Sequence, residues 1–554
     1  MKYLAKYNKV FLVFVLILVL GSCTKNYEEI NTNPNSPTDV PAKNIFTHVI
    51  INSVGNELGG WIQHTYLGCW SQQWTKVQYI DEDRYQMRNM TGFMEGPYTG
   101  TLMDLQIVIN KTKADIEAGV NVPENTTLLA AAKIMRVWIF SYLTDLFGDI
   151  PYSEALQGLN KDGVTQPKYD TQESIYQDFF NELEEANDLL DLSQVVSFGT
   201  ADLFFGGDPL KWKKFGNVLH LRLLNRVAGT PWSYTYTMVS GGTVTTSPGP
   251  AALADADAKM GAIFTNSAKY PIFESNDDNV KLTYPGTPYR NPIFNTLYSR
   301  TDQAVSQTMV NWLLDRNDPR IGIYAQTTTA SDTSAWPKYL GWQNGSEETA
   351  APFPLISLLG EPVAYDEHAP LYVLTADELG FIAAEYFLRT GNDAIAKQAY
   401  EQAIGAAMQR WGITDAATIG AYMAQTSVAW DAAADDAHKY KRIIEQRWAA
   451  MYGQGVQAYN LVRRTGFPER IFEYQLEATF YPNLGLPIRL PYSLNEEVYN
   501  SANLEEAKQR QNIESSNDGI FSTDGTKSQV WWHTRKNPIP TDADVDKQEV
   551  EYTK

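Results

Sequence analysis

Residues 142–155 read Tyr-Leu-Thr-Asp-Leu-Phe-Gly-Asp-Ile-Pro-Tyr-Ser-Glu-Ala. This pattern predicts the end of a helix, because Gly148 suits the position just past a helix and Pro151 follows soon after. Upstream, residues 128–147 are apolar on most faces, which is typical of a helix buried on all sides. The stretch therefore predicts a deeply buried scaffold helix rather than a site of chemistry.

Amphipathic helices are predicted downstream of this point. In the first, residues three or four apart form one apolar face, and Asp170 or Thr171 can cap it. That face consists of Ile175, Phe179, Leu183, Ala186 and Leu190. A second apolar face consists of Trp212, Phe215, Leu219 and Leu223. Arg222 and Arg226 share a face of this second helix and are expected to pair with carboxylates, whereas Glu182, Glu184 and Glu185 are expected on a solvated face.

A helix pair is predicted around Gly391. Thr375 and Glu378 form a capping-box pattern at the start of the first helix. The second helix carries small residues such as Ala396, where two helices can approach closely, and another helix is expected around residues 440–452. A helix, a short Gly turn and a second helix are typical of tetratricopeptide-like pairs. The sequence therefore predicts a mainly α protein.

The N-terminus predicts export and lipidation. Lys2, Lys6 and Lys9 precede an uncharged apolar run at residues 10–20, the arrangement of a secretory signal. The run is too short to span a bilayer as a helix. The ending Leu20-Gly-Ser-Cys23 resembles a bacterial lipobox, whose cysteine is acylated and becomes the new N-terminus. We therefore expect a signal peptide at 1–22 and a lipidated Cys23 with a Pro-rich tether at 23–41; the alternative is an ordinary signal peptide with a chance cysteine.

Composition narrows the classes of function. The chain has 554 residues, and its formal net charge is −20. An acidic body argues against nucleic acid as a partner, since phosphate binding needs a basic stripe. If Cys23 is acylated, Cys69 is the only remaining thiol, so no internal disulfide is expected. We therefore expect residues 42–554 to form a single domain held together by packing.

Long stretches rich in Thr, Ser, Gly and Pro interrupt the predicted helices. We expect loop insertions at about residues 229–300 and 325–370. Loops of this length are uncommon in compact domains and are usually functional or disordered. These two contain several Trp and Tyr residues, which disordered linkers rarely carry.

Several blocks resemble the SusD/RagB family, the nutrient-binding outer-membrane lipoproteins of Bacteroidetes-type bacteria. Residues 142–155 are the most specific block, and the resemblance extends over nearly all of the mature chain. The supporting blocks are residues 27–35, 207–215, 221–226, 445–453, 489–492 and 495–500. The resemblance implies tetratricopeptide-like helix pairs forming an α-superhelix, with a loop-rich half that binds ligand. It also implies an outer-membrane location and a SusC-type TonB-dependent transporter as the partner.

Two regions combine aromatic side chains with hydrogen-bonding groups. A sugar ring stacks its apolar face on Trp or Tyr, and its hydroxyls then need polar groups at the rim. We expect Trp336 and Trp342 to be exposed or interfacial, with Gln343 and Asn344 at the rim. The candidate ligand residues are Trp74, Tyr79, Arg84 and Tyr85 in the first region and Tyr289, Arg290, Trp336, Tyr339 and Trp342 in the second.

No catalytic or cofactor motif stands out. The six histidines form no zinc signature, and we find no nucleophile elbow or phosphate loop, so neither cofactor nor metal is expected. Chance calcium binding near Asp255, Asp257, Asp277 and Asp278 is an alternative. The leading hypothesis is a non-enzymatic lipoprotein that delivers an oligomeric nutrient to the transporter, with glycan as the default ligand and oligopeptide as the alternative. An exported glycoside hydrolase and an adhesive lipoprotein are the hypotheses of other classes.

Overall fold

A computed structural model describes residues 40–86, 90–158, 160, 162–232, 234–237, 243–246, 249–332, 335–346, 353–469, 486–513 and 530–532. The predicted signal peptide, Cys23 and residues 24–39 of the tether lie outside the described residues. The fold is mainly helical, as the sequence predicts.

The helices of the first half are numbered α1 to α8 in chain order. They are α1 Ala42–Glu57, α2 Thr91–Thr99, α3 Thr101–Glu117, α4 Val122–Phe147, α5 Gln172–Leu189, α6 Pro209–Val227, α7 Ala256–Thr265 and α8 Pro292–Leu297. A π-helical turn at Gln63–Leu67 continues into a short helix at Gly68–Trp70.

The second half contains α9 to α18. They are α9 Gln307–Asp315, α10 Ile321–Tyr324, α11 Glu361–Ala364, α12 Ala376–Arg389, α13 Asp393–Arg410, α14 Ala416–Met423, α15 Asp436–Ala450, α16 Gly455–Thr465, α17 Leu494–Tyr499 and α18 Ser501–Arg510.

Four short antiparallel strand pairs connect helices and loops within the described residues. They are β1 Trp74–Lys76 with β7 Gln303–Val305, β2 Ile150–Pro151 with β3 Tyr169–Asp170, β4 Tyr234–Thr237 with β5 Thr243–Thr246, and β6 Val280–Leu282 with β8 Leu371–Leu374. The β1–β7 pair joins an N-terminal segment to the segment that lies between the two predicted loop insertions.

Helix α4 is the predicted scaffold helix. It ends at Phe147, and Gly148 follows with a φ of 78°, a conformation that costs glycine little. Within the described part of the chain, it is the one helix long and apolar enough to cross a membrane, but 89% of that apolar window is buried inside the protein. Helices α1, α3 and α5 pack around it, so α4 is the core of the N-terminal half.

The helix pair around Gly391 is confirmed. Helices α12 and α13 pack against each other, and Thr375 caps the first by accepting a hydrogen bond from the Glu378 amide at 3.4 Å. Thr171 caps α5 in the same way. The predicted apolar faces of α5 and α6 are buried.

Three local predictions fare differently. Arg222 and Arg226 pair with carboxylates as expected. The expectation that Glu182 is solvated is wrong, because Lys133 and Arg136 of α4 form ion pairs with it in a buried setting. The predicted loop insertions at 229–300 and 325–370 contain short helices and strands, namely α7, α8, α11, β4, β5 and β6.

Candidate functional site

A cleft of about 370 Å³ opens where the N-terminal segment meets the region after α8. We call it the Tyr79 cleft. Its lining combines aromatic, charged and amide side chains: Trp61, His64, Thr65, Lys76, Tyr79, Glu82, Thr296, Leu297, Arg300, Asp302 and Gln303. Since the residues come from two distant parts of the sequence, the β1–β7 pairing is what creates the cleft.

Strand register places the polar side of the cleft. Lys76 pairs with Gln303 across the two strands, and the Val77 amide donates to the Asp302 carbonyl at 3.0 Å. The Lys76 ammonium lies 3.4 Å from the Asp302 carboxylate. Arg300 donates to the same carboxylate through Nε at 3.0 Å and Nη2 at 2.8 Å. Asp302 is therefore held between two cations.

Those cations control the protonation of Asp302. Burial alone would raise the pKa of Asp302, but the hydrogen bonds from Arg300 and the charge of Lys76 outweigh it and the pKa lies below its usual value. Burial, together with the positive charge of Lys76, lowers the pKa of His64 to about 3. At neutral pH the cleft therefore carries Asp302 as an anion and His64 as a neutral ring.

Tyr79 presents the most accessible ring in the cleft. Its side chain is 65% exposed, and the Arg300 guanidinium lies 5.8 Å from the ring centroid. Its backbone has a φ of 53°, which is uncommon for a residue other than glycine and which clusters at functional sites. Trp61 adds a second ring that is 36% exposed and stacks on Phe93.

A buried carboxylate fixes the turn that carries Tyr79. Asp83 accepts hydrogen bonds from the Thr75 hydroxyl at 2.8 Å and from the Lys76 amide at 3.1 Å. It also accepts from the Asn344 side-chain amide at 2.8 Å and from the Gly345 amide at 3.1 Å. The loop around residue 344 therefore supports the Tyr79 turn from behind.

Tyr79 is the one predicted ligand residue that lines this cleft. Trp74 is 1% exposed and packs edge-on against Tyr452, and Tyr85 packs edge-on against Trp70 in the core. Arg84 is partly exposed on the Tyr79 turn. The interpretation of Trp74 and Tyr85 as ligand contacts is corrected, because protein atoms enclose both rings.

The second predicted region lies outside the cleft. Tyr289 is 71% exposed, and Arg290 pairs with Glu367 at 2.7 Å. Trp336 is partly buried and donates its indole N–H to the Leu355 carbonyl at 2.9 Å, while Tyr339 packs partly against the core. Ligand contact by these four residues stays a prediction.

The sequence predicts that Trp342 is exposed or interfacial, and that prediction is wrong. Its side chain is 2% exposed and sits in a small apolar cluster with Val77, Ala304 and Ile356. The backbone of Trp342 exchanges hydrogen bonds with Val305 and Gln307, which draws the ring inward. Asn344 is also buried, so it supports the Tyr79 turn instead of forming a ligand rim.

The sequence analysis missed most of the cleft. Trp61, His64, Lys76, Arg300 and Asp302 were not among the candidates, although Arg300 and Asp302 follow a predicted aromatic-rich stretch. Trp61, His64 and Lys76 lie on the same segment as Tyr79, but only the pairing of β1 with β7 brings Arg300 and Asp302 to it. Among the described residues no group of three or more His, Cys, Asp or Glu side chains is arranged to hold a metal ion. Of the four aspartates considered for calcium, Asp257 pairs with Arg389 and Asp278 with Lys214.

A family model described as "Starch-binding associating with outer membrane" matches residues 34–240 and 249–493. The chain belongs to the SusD-like family. Members of this family are binding proteins, and the family description associates them with the outer membrane. The resemblance to SusD/RagB proteins is thereby confirmed, and the chain is a nutrient-binding protein of the cell surface.

Solved structures share the fold over almost the whole chain. A chitin-binding protein is 24% identical with a TM-score of 0.71, covering 89% of this chain and 99% of its own. A SusD homologue from Bacteroides fragilis is 22% identical with a TM-score of 0.71, covering 90% and 100%. A chitin-binding SusD homologue from Flavobacterium johnsoniae is 23% identical with a TM-score of 0.70, covering 90% and 99%. No curated protein matches the sequence.

Proposed function

We propose that this chain is a non-catalytic, lipid-anchored surface protein that binds a neutral oligosaccharide in the Tyr79 cleft. It then delivers the oligosaccharide to a SusC-type TonB-dependent transporter. The observation that carries the ligand site is Tyr79, an accessible ring fixed at positive φ beside Arg300 and above a row of polar groups.

The chemistry of the cleft suits a neutral glycan. A sugar ring offers an apolar face to Tyr79 or Trp61, and its hydroxyls can both donate to and accept from the surrounding groups. The formal charges at the cleft balance, with Lys76 and Arg300 opposing Glu82 and Asp302. This balance favours an uncharged ligand over an acidic one, and neutral chitin, which two of the similar structures are named for binding, fits it.

The test measures affinity for a ligand panel by calorimetry with the purified full-length chain in mild detergent. The panel contains chito-oligosaccharides, malto-oligosaccharides and oligopeptides of mixed sequence. Replacing Tyr79 with Ala removes the stacking ring, and losing one such ring costs on the order of 1–3 kcal/mol. We therefore expect Tyr79→Ala to weaken binding roughly ten- to a hundredfold, while Tyr79→Phe keeps most of the affinity.

Tyr499→Ala is the matched control, because Tyr499 at the end of α17 is about as exposed as Tyr79 but lies outside the cleft and outside both predicted ligand regions. We expect this variant to bind like the parent. Normal binding by Tyr79→Ala together with a loss in Tyr289→Ala would move the site to the second predicted region. If the protein bound only the peptides, and Tyr79→Ala weakened that binding, the Tyr79 cleft would still be the binding site but its ligand would be an oligopeptide.

The glycoside hydrolase alternative has one observation in its favour, since Glu82 and Asp302 both line the cleft. A glycosidase needs one carboxyl group that stays protonated as the acid and one that stays ionised. Arg300 and Lys76 hold the pKa of Asp302 low, so Asp302 cannot be the acid. Arg300 also bonds both of its carboxylate oxygens and Lys76 lies 3.4 Å from one of them, so Asp302 is not free to act as the nucleophile or base either. We expect no new reducing ends from any bound glycan; cleavage that disappears in Glu82→Gln would establish the hydrolase instead.

A further inference from the structure

A cluster of buried arginines and carboxylates lies where α4, α6, α12, α15 and α16 meet, away from the Tyr79 cleft. Arg222 and Arg226 come from α6, and Glu378 and Glu385 come from α12. Asp145, Arg447 and Arg464 belong to the same cluster. Arg389 also lies 3.4 Å from Glu385, but its charge is offset by its pair with Asp257. Helical spacing explains the arrangement, since residues three, four or seven apart share one face of a helix.

Three arginines each have a carboxylate of their own. Arg222 binds Glu378 in a bidentate pair, with Nε to Oε1 at 2.8 Å and Nη2 to Oε2 at 2.5 Å. Arg464 binds Glu385 in the same way, at 2.6 and 2.7 Å. Arg226 pairs with Asp145. Bidentate pairs of this kind satisfy the charge on both partners.

Arg447 has no carboxylate of its own and shares those of Arg222 and Arg464. Its Nη2 donates to Glu378 Oε1 at 3.2 Å, on a carboxylate that Arg222 already neutralises. Its Nη1 lies 3.6 Å from Glu385 Oε2, and among the described residues neither this atom nor Nε has a hydrogen-bond partner. Burial, outweighing the nearby carboxylates, lowers the pKa of Arg447 to about 10. A buried cation whose carboxylates are already paired with other arginines is only partly compensated, and incomplete compensation is costly.

A small cavity lies beside this surplus charge. Its volume is about 10 Å³, and its lining includes Arg222, Arg226, Arg447, Arg464, Asn225 and Gln457. A cavity of this size holds about one water molecule. Arg222 Nη1, like the two Arg447 atoms, is buried without a hydrogen-bond partner in the described part of the chain. The cavity is therefore lined by arginines that have unused N–H donors and an excess of positive charge, and it has room for one small ion or molecule.

We propose that this cavity binds a monatomic anion, chloride being the physiological one. Chloride would accept hydrogen bonds from the guanidinium groups and offset the charge of Arg447. Phosphate and sulfate have too many atoms for the space. Water is the competing occupant, because Asn225 Oδ1 is an acceptor without a partner among the described residues and water could donate to it. The inference does not depend on the Tyr79 cleft.

The first experiment uses bromide, which scatters anomalously and replaces chloride. Crystals of the full-length chain are grown in sodium bromide, and an anomalous difference peak is expected between Arg222, Arg447 and Gln457. Electron density without anomalous signal in the cavity, in crystals where bromide appears elsewhere, identifies water and overturns the proposal.

The second experiment measures melting temperature against chloride at constant ionic strength, with gluconate as the replacing anion. A ligand that binds only the folded state stabilises it, so we expect the melting temperature to rise by about 1 °C or more as chloride replaces gluconate. Gln457→Glu places a tethered carboxylate beside the cavity and can keep the contact with Arg226 Nη2. We expect this variant to lose the dependence on chloride.

Gln402→Glu is the matched control, because Gln402 is exposed on α13 and does not line the cavity. It makes the same change of charge and should keep the parent's response to chloride. The site would be refuted if the parent melted at the same temperature in chloride and in gluconate. It would also be refuted if the melting temperature of Gln457→Glu depended on chloride as strongly as that of the parent.

Discussion

Glu57 is a buried carboxyl at the C-terminal end of α1. Its side chain lies inside the core and forms a hydrogen bond with Tyr142 of α4. Burial raises the pKa of Glu57 to about 8, although the hydrogen bond with Tyr142 opposes the shift. The carboxyl is therefore protonated in the folded protein at neutral pH, whereas it is ionised in the unfolded chain above its ordinary value of 4.5.

This difference predicts a pH dependence of stability. Between about pH 4.5 and 8 the folded state binds the proton and the unfolded state does not, so the contribution of Glu57 is complete below 4.5 and is lost as the pH rises through 8. The loss amounts to a few kcal/mol, on the order of 1.4 kcal/mol for each unit of pKa difference.

Chemical denaturation of the parent and of Glu57→Gln across pH 5 to 8.5 measures this contribution. The amide cannot titrate, so the variant should gain stability relative to the parent as the pH rises. A difference between the two proteins that stays constant over this range would show that Glu57 is ionised in the folded state.

Tyr79 and Trp342 show how far the sequence could identify the site at the level of single residues. Both were selected because they are aromatic and lie in polar, irregular sequence. Tyr79 is exposed, but Trp342 is buried because its backbone pairs with residues 305 and 307. No local pattern reveals a partner more than 30 residues away. The sequence therefore identifies aromatic residues in irregular segments, but it does not show which of them are buried and which are exposed.

At the scale of elements, the contact between α12 and α13 depends on a glycine. A Cβ atom placed on Gly380 would lie 2.8 Å from the Ala403 Cβ, closer than two such atoms approach. Gly420 in α14 has no neighbour within 4 Å of the same position. Alanine substitution at the two positions therefore separates the effect of helix packing on stability from the effect of helix propensity.

We expect Gly380→Ala to destabilise the protein by about 1–3 kcal/mol, because the helices must move apart to admit the methyl group. Gly420→Ala should instead stabilise it by roughly 0.5–1 kcal/mol, because alanine favours the helix and costs less conformational entropy. Thermal and chemical denaturation of both variants checks the pair. Equal effects of the same sign would mean that α12 and α13 are not packed as closely as described.

The residues that cap helices could be predicted from the sequence, but the burial of residues within helices could be predicted only in part. The caps Thr171 and Thr375 follow from local hydrogen bonding, which a few consecutive residues decide. Glu182 was misplaced because its partners Lys133 and Arg136 belong to α4, on another part of the chain. Burial of a charged residue is a property of the packed pair of helices, and one helix alone does not contain that information.

At the scale of the whole molecule, the proposed delivery of ligand requires a transporter that accepts it. We expect the native protein, extracted in mild detergent and captured through a C-terminal tag, to bring a large β-barrel protein with it. A tagged, unrelated outer-membrane lipoprotein from the same cells is the control. Recovery of the tagged protein alone, under conditions that preserve complexes of this kind, would count against the partnership.

Attachment to the membrane is the second whole-molecule property, and net charge makes it depend on Cys23. The full chain has a formal charge of −20, and an acidic protein of this kind is repelled by anionic membrane surfaces, so adsorption alone cannot hold it there. Acyl chains can hold the protein at the membrane, since each buried CH₂ contributes about 0.8 kcal/mol and more than one chain gives stable anchoring.

Cys23→Ala should therefore abolish labelling by a tagged fatty acid and move the protein out of the membrane fraction. Cys69→Ala is the control: Cys69 is buried and burial raises its pKa, so it is a poor site for acylation and its variant should label like the parent. Undiminished label in Cys23→Ala would show that the anchor lies elsewhere.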